Sequence, residues 1–107
     1  MTRSFLRDPI PEVVLSRVLE QARHVPSAGN TQGFDFVVLE GDQTSIYWDV
    51  TLPRERRETF RWSNLLDAPA IITIWANPDA YLERYSRSDK QATGLGQGME
   101  MWGTPYW

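Results

Sequence analysis

Val14, Leu15, Val18, Leu19 and Ala22 fall at i, i+1, i+4, i+5 and i+8, with Glu12, Arg17, Glu20 and Gln21 between them. That spacing is one apolar stripe of a 3.6-residue period and predicts a helix over Glu12–His24. Pro11 suits its first turn, Glu12 the positive end of its dipole, and Pro26 biases Val25 away from helical angles, so the helix should stop there. The small polar run 26–33 then reads as a loop. Behind it, Phe34-Asp35-Phe36-Val37-Val38-Leu39 predicts a strand whose near-continuous apolar character implies burial on both faces.

Gly41-Asp42 marks a turn. From Gln43 to Val50 the residues Ile46, Tyr47 and Val50 keep helical spacing although Ile-Tyr-Trp is β-prone, and a short helix is the reading adopted. Pro53 opens a charged segment, Arg54 to Trp62, in which Arg54 and Glu58 are four residues apart and able to support a helical turn. Ala70–Ala76 predicts a second buried strand. Asn77-Pro78-Asp79 is a cap followed by proline at the first helical position, and the helix it starts carries Tyr81, Leu82 and Tyr85 on one face. Helix, strand, helix, strand, helix is the order of an α/β or α+β layer structure with helices covering a sheet. Ser86 to Trp107, with Lys90, glycines at 94, 96, 98 and 103, and Trp102, Tyr106 and Trp107, is too long and glycine-rich for a simple connector, and its last aromatics call for cover.

Composition narrows the chemistry. With 107 residues there is one domain or part of one, and a net charge of −3 argues against a dedicated nucleic-acid binder. The absence of cysteine removes disulfides, thiolate metal sites and cysteine nucleophiles together. No apolar run approaches the ~18 residues that span a bilayer and Met1–Pro11 lacks the core of a signal peptide, so a cytoplasmic protein is expected. The one histidine, His24, reads as a helix-surface residue, which leaves no triad and no multi-histidine metal centre. An enzyme built from this inventory would draw its chemistry from a bound cofactor.

Four further features are candidate sites with ordinary alternatives. Gly94-Leu95-Gly96-Gln97-Gly98 follows a polar loop rather than a strand, against a dinucleotide fingerprint. The arginines and aromatics of Arg54–Trp62 are interleaved with glutamates, which favours a solvated helix face over a nucleic-acid track. Arg3 and Arg7 are able to meet a phosphate or a ring carbonyl, although isolated surface arginines are the ordinary case. The loop from Ser27 to Gln32 is the most informative: it reads either as a helix terminator with Gly29 and Asn30 left-handed, or as a set of N–H groups and the Asn30 and Gln32 amides poised to recognise a polar planar ring.

Taken in order, Arg3-Ser4-Phe5, Pro9-Ile10-Pro11, the amphipathic helix, Pro26-Ser27-Ala28-Gly29-Asn30-Thr31-Gln32 and Phe36-Val37-Val38 resemble the N-terminal half of the FMN-dependent nitroreductase family. Tyr47-Trp48, Pro53-Arg54-Glu55-Arg56-Arg57, Asp67-Ala68-Pro69-Ala70 and Pro105-Tyr106-Trp107 extend the resemblance over nearly the whole chain. It implies an α+β layered fold, helices packed on a small sheet, in a single nitroreductase-like domain over residues 1–107. It implies a homodimer with FMN at the subunit interface, reduced by NAD(P)H and reoxidised by nitroaromatics, quinones or similar acceptors. Arg3 would lie near the flavin ring and ribityl chain, and Ser27, Ala28, Asn30 and Gln32 would line the flavin, commonly from the partner subunit. No catalytic side chain and no metal is implied. The chain departs from the pattern twice: family members place Arg-Arg-Ser before the position of Arg3, where Met1-Thr2 stand, and they continue past Pro-Tyr-Trp into a long dimer-building helix. The expectation is therefore an N-terminal half of the fold, with a non-catalytic ligand-binding or interaction module as the alternative to an oxidoreductase.

Overall fold

A computed structural model describes residues 1–95. It contains four helices, α1 (Glu12–Arg23), α2 (Thr44–Thr51), α3 (Arg54–Arg57) and α4 (Pro78–Ser86), and two strands, β1 (Phe34–Glu40) and β2 (Ala70–Ala76). The strands pair in a two-stranded sheet. The Gly41 N–H donates to Pro69 O at 3.0 Å and the Asn77 N–H to Gly33 O at 2.8 Å, so the partner's number falls as the first strand's rises and the strands run antiparallel. The α+β class expected from the sequence is what forms. Pro105, Tyr106, Trp107, Trp102 and the glycines beyond Gly94 lie outside the described residues.

The chain divides into two compact units, Met1–Arg17 with Val37–Thr73, and Val18–Phe36 with Ile74–Trp107. In the first, α1 begins where Pro11 O accepts the N–H groups of Val14 and Leu15, at 2.8 and 3.1 Å, and Leu15 is buried. Thr44 and Ser45 return their hydroxyls to the carbonyls of Gly41 and Asp42, which fixes the turn leading into α2. Pro53 separates α2 from α3. The charged segment is helical only over Arg54–Arg57, shorter than its spacing suggests. Its arginines turn back to Asp49 of α2 (Arg57 Nη2 at 2.6 Å, Arg54 Nε at 3.8 Å) instead of forming the Arg54–Glu58 pair, so nothing carries the helix on to Trp62.

In the second unit, α4 starts as its sequence dictates: the Asn77 side chain accepts from the Ala80 N–H at 3.2 Å and Pro78 occupies the first turn. Its buried face is Tyr81 and Tyr85. Gly33 is also buried, because a Cβ there would run into the Tyr81 ring and come within 2.9 Å of Asn77 O.

Burial on both faces of the strands is corrected. Along β1, Phe34, Phe36 and Val38 are half-buried while Asp35 and Val37 are exposed, and in β2 Ile74 and Trp75 remain 69% and 62% exposed. A strand is buried on both faces only with a layer on each side, and among the described residues this sheet has two strands and few covering elements. The helix stripe is likewise only partly buried, Val14 and Val18 being 46% and 50% exposed.

Candidate functional site

The loop that leaves α1 is built on left-handed backbone. Gly29, Asn30 and Gln32 have φ of +61°, +53° and +55°. Glycine takes this region freely, asparagine with little difficulty, but glutamine at a cost of about 1–2 kcal/mol. The loop's own polar groups hold it there. Ser27, in extended conformation, offers its carbonyl to the Asn30 N–H at 2.9 Å and its Oγ to the Gln32 N–H at 2.8 Å. Ala28 O accepts the Thr31 hydroxyl at 2.6 Å, and Gln32 Nε2 reaches back to Val25 O at 3.1 Å and to Asn30 Oδ1 at 3.4 Å.

The left-handed geometry expected of Gly29 and Asn30 is present, but it does not end the first helix. The two residues sit in a 3-10 turn over Ala28–Asn30, beyond the end of α1 at Arg23, while Asn30 and Gln32 stay exposed at the surface. Gln32 is less free than the sequence suggests, since its amide nitrogen braces the loop. Asn30 keeps its NH2 and Gln32 its carbonyl oxygen without a partner among the described residues, a donor and an acceptor side by side.

One further strut comes from α4. Arg84 Nε donates to Gly29 O at 2.9 Å, and its two terminal nitrogens grip Asp89 at 3.0 and 2.9 Å. The Arg84 guanidinium holds the Asp89 carboxyl below the usual carboxylate range, through that hydrogen bond first. Gly29, Asn30, Thr31, Ala80, Glu83, Arg84, Arg87 and Asp89 line a polar cleft of about 510 Å³.

Arg3 belongs to the other unit, where its surroundings were not legible in advance. Its guanidinium carbon lies 4.9 Å from the centre of the Trp62 ring, and that of Arg61 lies 5.6 Å from the same ring. With Ser4, Ser63 and Asn64 they line a cleft of about 330 Å³. Asn64 ties the N-terminal segment in place, its carbonyl accepting from the Phe5 N–H at 3.1 Å and its amide donating to Ser4 Oγ at 3.3 Å. Neither Arg3 nor Arg61 has a carboxylate partner among the described residues. Two uncompensated guanidiniums over an indole, beside two hydroxyls and an amide, suit an anionic group attached to a planar ring. Arg61 was missed because the Arg54–Trp62 run was read as a solvated helix face, and Ser63 and Asn64 because they follow that run without a motif of their own; the one signal is that no acidic residue follows Arg61 until Asp67.

Other candidates are accounted for structurally. Arg7 is taken by Asp67 at 2.6 Å, and His24 lies on the surface with Nε2 3.4 Å from Glu20. Gly94 closes a 3-10 turn in left-handed conformation. No three metal-binding side chains cluster among the described residues. A cleft of about 430 Å³ beside Trp48 contains a buried indole N–H without an acceptor, for which the structure supplies no role.

An α+β chain with a left-handed, amide-bearing loop after its first helix and an arginine-flanked cleft near its start has the parts that the sequence pattern associated with flavin. Residues 1–102 match the family model for the nitroreductase family, and the chain belongs to that family. It is similar to a protein named NADH dehydrogenase from Thermus thermophilus, with 32% identity over 76 residues. The match covers 70% of this chain and 33% of that relative, so the chain spans about a third of the relative's length.

Proposed function

We propose that the protein is an FMN-dependent oxidoreductase that passes reducing equivalents from NAD(P)H to nitroaromatic, quinone or similar acceptors, in the cytoplasm and as a homodimer. Membership of the nitroreductase family over residues 1–102 carries the reading. The name of the Thermus relative supports a nicotinamide reductant.

The donor set fits the cofactor. Arg3 and Arg61 supply positive charge to an anionic group or to the electron-rich side of a flavin, and Trp62 supplies a flat apolar wall. At the other unit, the Asn30 NH2 and the Gln32 carbonyl oxygen offer the paired donor and acceptor that a flavin's pyrimidine edge requires. Ser27 and Ala28 act one step back, holding Gln32 and Thr31. When bound, FMN supplies the hydride chemistry, and the side chains named here bind it, orient it and favour negative charge on it.

Titration of the chain with FMN, followed by flavin fluorescence, tests the reading. Arg3→Ala and Asn30→Ala should each weaken binding about tenfold, the scale of one charge-assisted or well-placed hydrogen bond. Unchanged affinity in both variants would overturn the site, and no binding by the parent chain would overturn FMN dependence.

A further inference from the structure

We propose that Arg84 and Asp89 form a clamp that sets the conformation of the Ser27–Gln32 loop, making Arg84 a positioning residue for whatever that loop contacts. The link to flavin rests on the function proposed above; the link to the loop rests on geometry alone.

Left-handed residues other than glycine persist only where their surroundings over-determine them. The side-chain bonds that Ser27, Thr31 and Gln32 make are all local, reaching no further back than Val25. Arg84 differs. It reaches the loop from 55 residues away, placing Nε 2.9 Å from the carbonyl of Gly29, the first of the loop's three left-handed residues.

The approach depends on Gly29 having no side chain. A Cβ there would lie 3.1 Å from the Tyr85 ring and 3.3 Å from Arg84 Cγ, tighter than ordinary contact on both sides. Gly29 is therefore required twice, for its φ and for the close approach of α4.

Asp89 gives the guanidinium its orientation. Two near-parallel bonds at 3.0 and 2.9 Å fix the plane of the fork, and the third donor, Nε, is then aimed at the loop. The neighbouring Glu83 is occupied by Arg87 at 3.1 Å, so it does not compete for Arg84. The Arg84 side chain is 22% exposed, and its position between helix and loop is packed rather than free. A lysine carries the same charge but one nitrogen, and it has no means of holding a carboxylate through two atoms while donating sideways to a carbonyl.

The test is amide hydrogen exchange on the purified chain, with Arg84→Ala, Arg84→Lys and Asp89→Asn. The reporters are the amides of Asn30, Thr31 and Gln32, which are bonded to Ser27 O, Ala28 O and Ser27 Oγ. Each variant should speed their exchange about tenfold, with the amides of Tyr81 and Leu82 in α4 little changed. Unchanged loop exchange, rescue by Arg84→Lys, or loosening of α4 to the same degree in all three variants would overturn the clamp. Where the parent chain binds FMN, affinity should fall with loop protection across the three variants; looser loops at undiminished affinity would overturn the positioning role. A parent chain that binds no FMN would defeat the flavin reading, and the exchange arm would still decide the clamp.

Discussion

Single residues carry more of this structure than the size of its core suggests. Gly33 is the sharpest case, because its missing side chain leaves the space that the Tyr81 ring fills. Gly33→Ala should cost about 1–3 kcal/mol, the usual penalty for overpacking, read as a lowered midpoint in urea unfolding; a change below about 0.5 kcal/mol would mean that the ring moves aside freely. Asp89 makes a second prediction. Its folded pKa lies below the ordinary 3.8 because of the Arg84 hydrogen bond first, with the charges of Arg84 and Lys90 adding and desolvation opposing. Glu83 and Arg87, the other charged groups of the cleft, are paired with each other. A depressed carboxylate stabilises fully above its unfolded pKa and loses that contribution as pH falls through the folded value. The Gly29 and Asn30 amide shifts should therefore stay flat from neutrality to about pH 4 and titrate only below it. A midpoint above 3.8 would contradict the pairing.

At the level of elements, much was legible because local signals were strong. The five apolar positions of α1, with proline at each end, and the Asn77-Pro78 start of α4 specify those helices independently of tertiary context. Asn77→Ala, which removes the bond to the Ala80 N–H, should lower stability by about 1 kcal/mol in thermal or urea unfolding. A neutral result would show that proline alone starts the helix. Ambiguity in the 43–50 segment resolved as helix, with Thr51 returning its hydroxyl to Tyr47 O at 2.8 Å near the end. Segments ruled by contacts outside their own periodicity were not legible. Arg54 and Glu58 had the right spacing, yet Asp49 sits where both Arg54 and Arg57 reach it, and no periodicity reports that. The site divides along the same line: Ser27, Asn30 and Gln32 form a continuous run and were visible, whereas Arg61 and Asn64 join Arg3 only by folding. Arg84 was invisible because its target is a backbone carbonyl.

At the scale of the molecule, the informative quantity is how little apolar surface is buried among the described residues. Leu15, Tyr81 and Tyr85 are the buried hydrophobic residues among those described, while Val13, Ile46, Val50, Ile74 and Trp75 are each at least 61% exposed. No helix among the described residues is long and apolar enough to cross a membrane. Surface of this kind invites cover by ligand or partner, in line with the homodimer and cofactor proposed. A ligand that binds only the folded state, at a hundred times its Kd, adds about 2.7 kcal/mol. Saturating FMN should therefore raise the Tm by roughly 10 °C or more, with a shift from monomer to dimer mass in sedimentation. An unmoved Tm at saturation would argue against binding to the folded chain.

The contact between Gly33 and Tyr81 also constrains how this sequence can diverge. A lineage that gains a side chain at position 33 meets both the Tyr81 ring and the Asn77 carbonyl, and a smaller residue at 81 relieves the first of these. The two positions should therefore drift as a pair, in a fixed order of steps. Tyr81→Leu should reduce, without abolishing, the cost of a later Gly33→Ala, since the Asn77 carbonyl still lies 2.9 Å from the new Cβ, while the reverse order passes through the most crowded protein of the series.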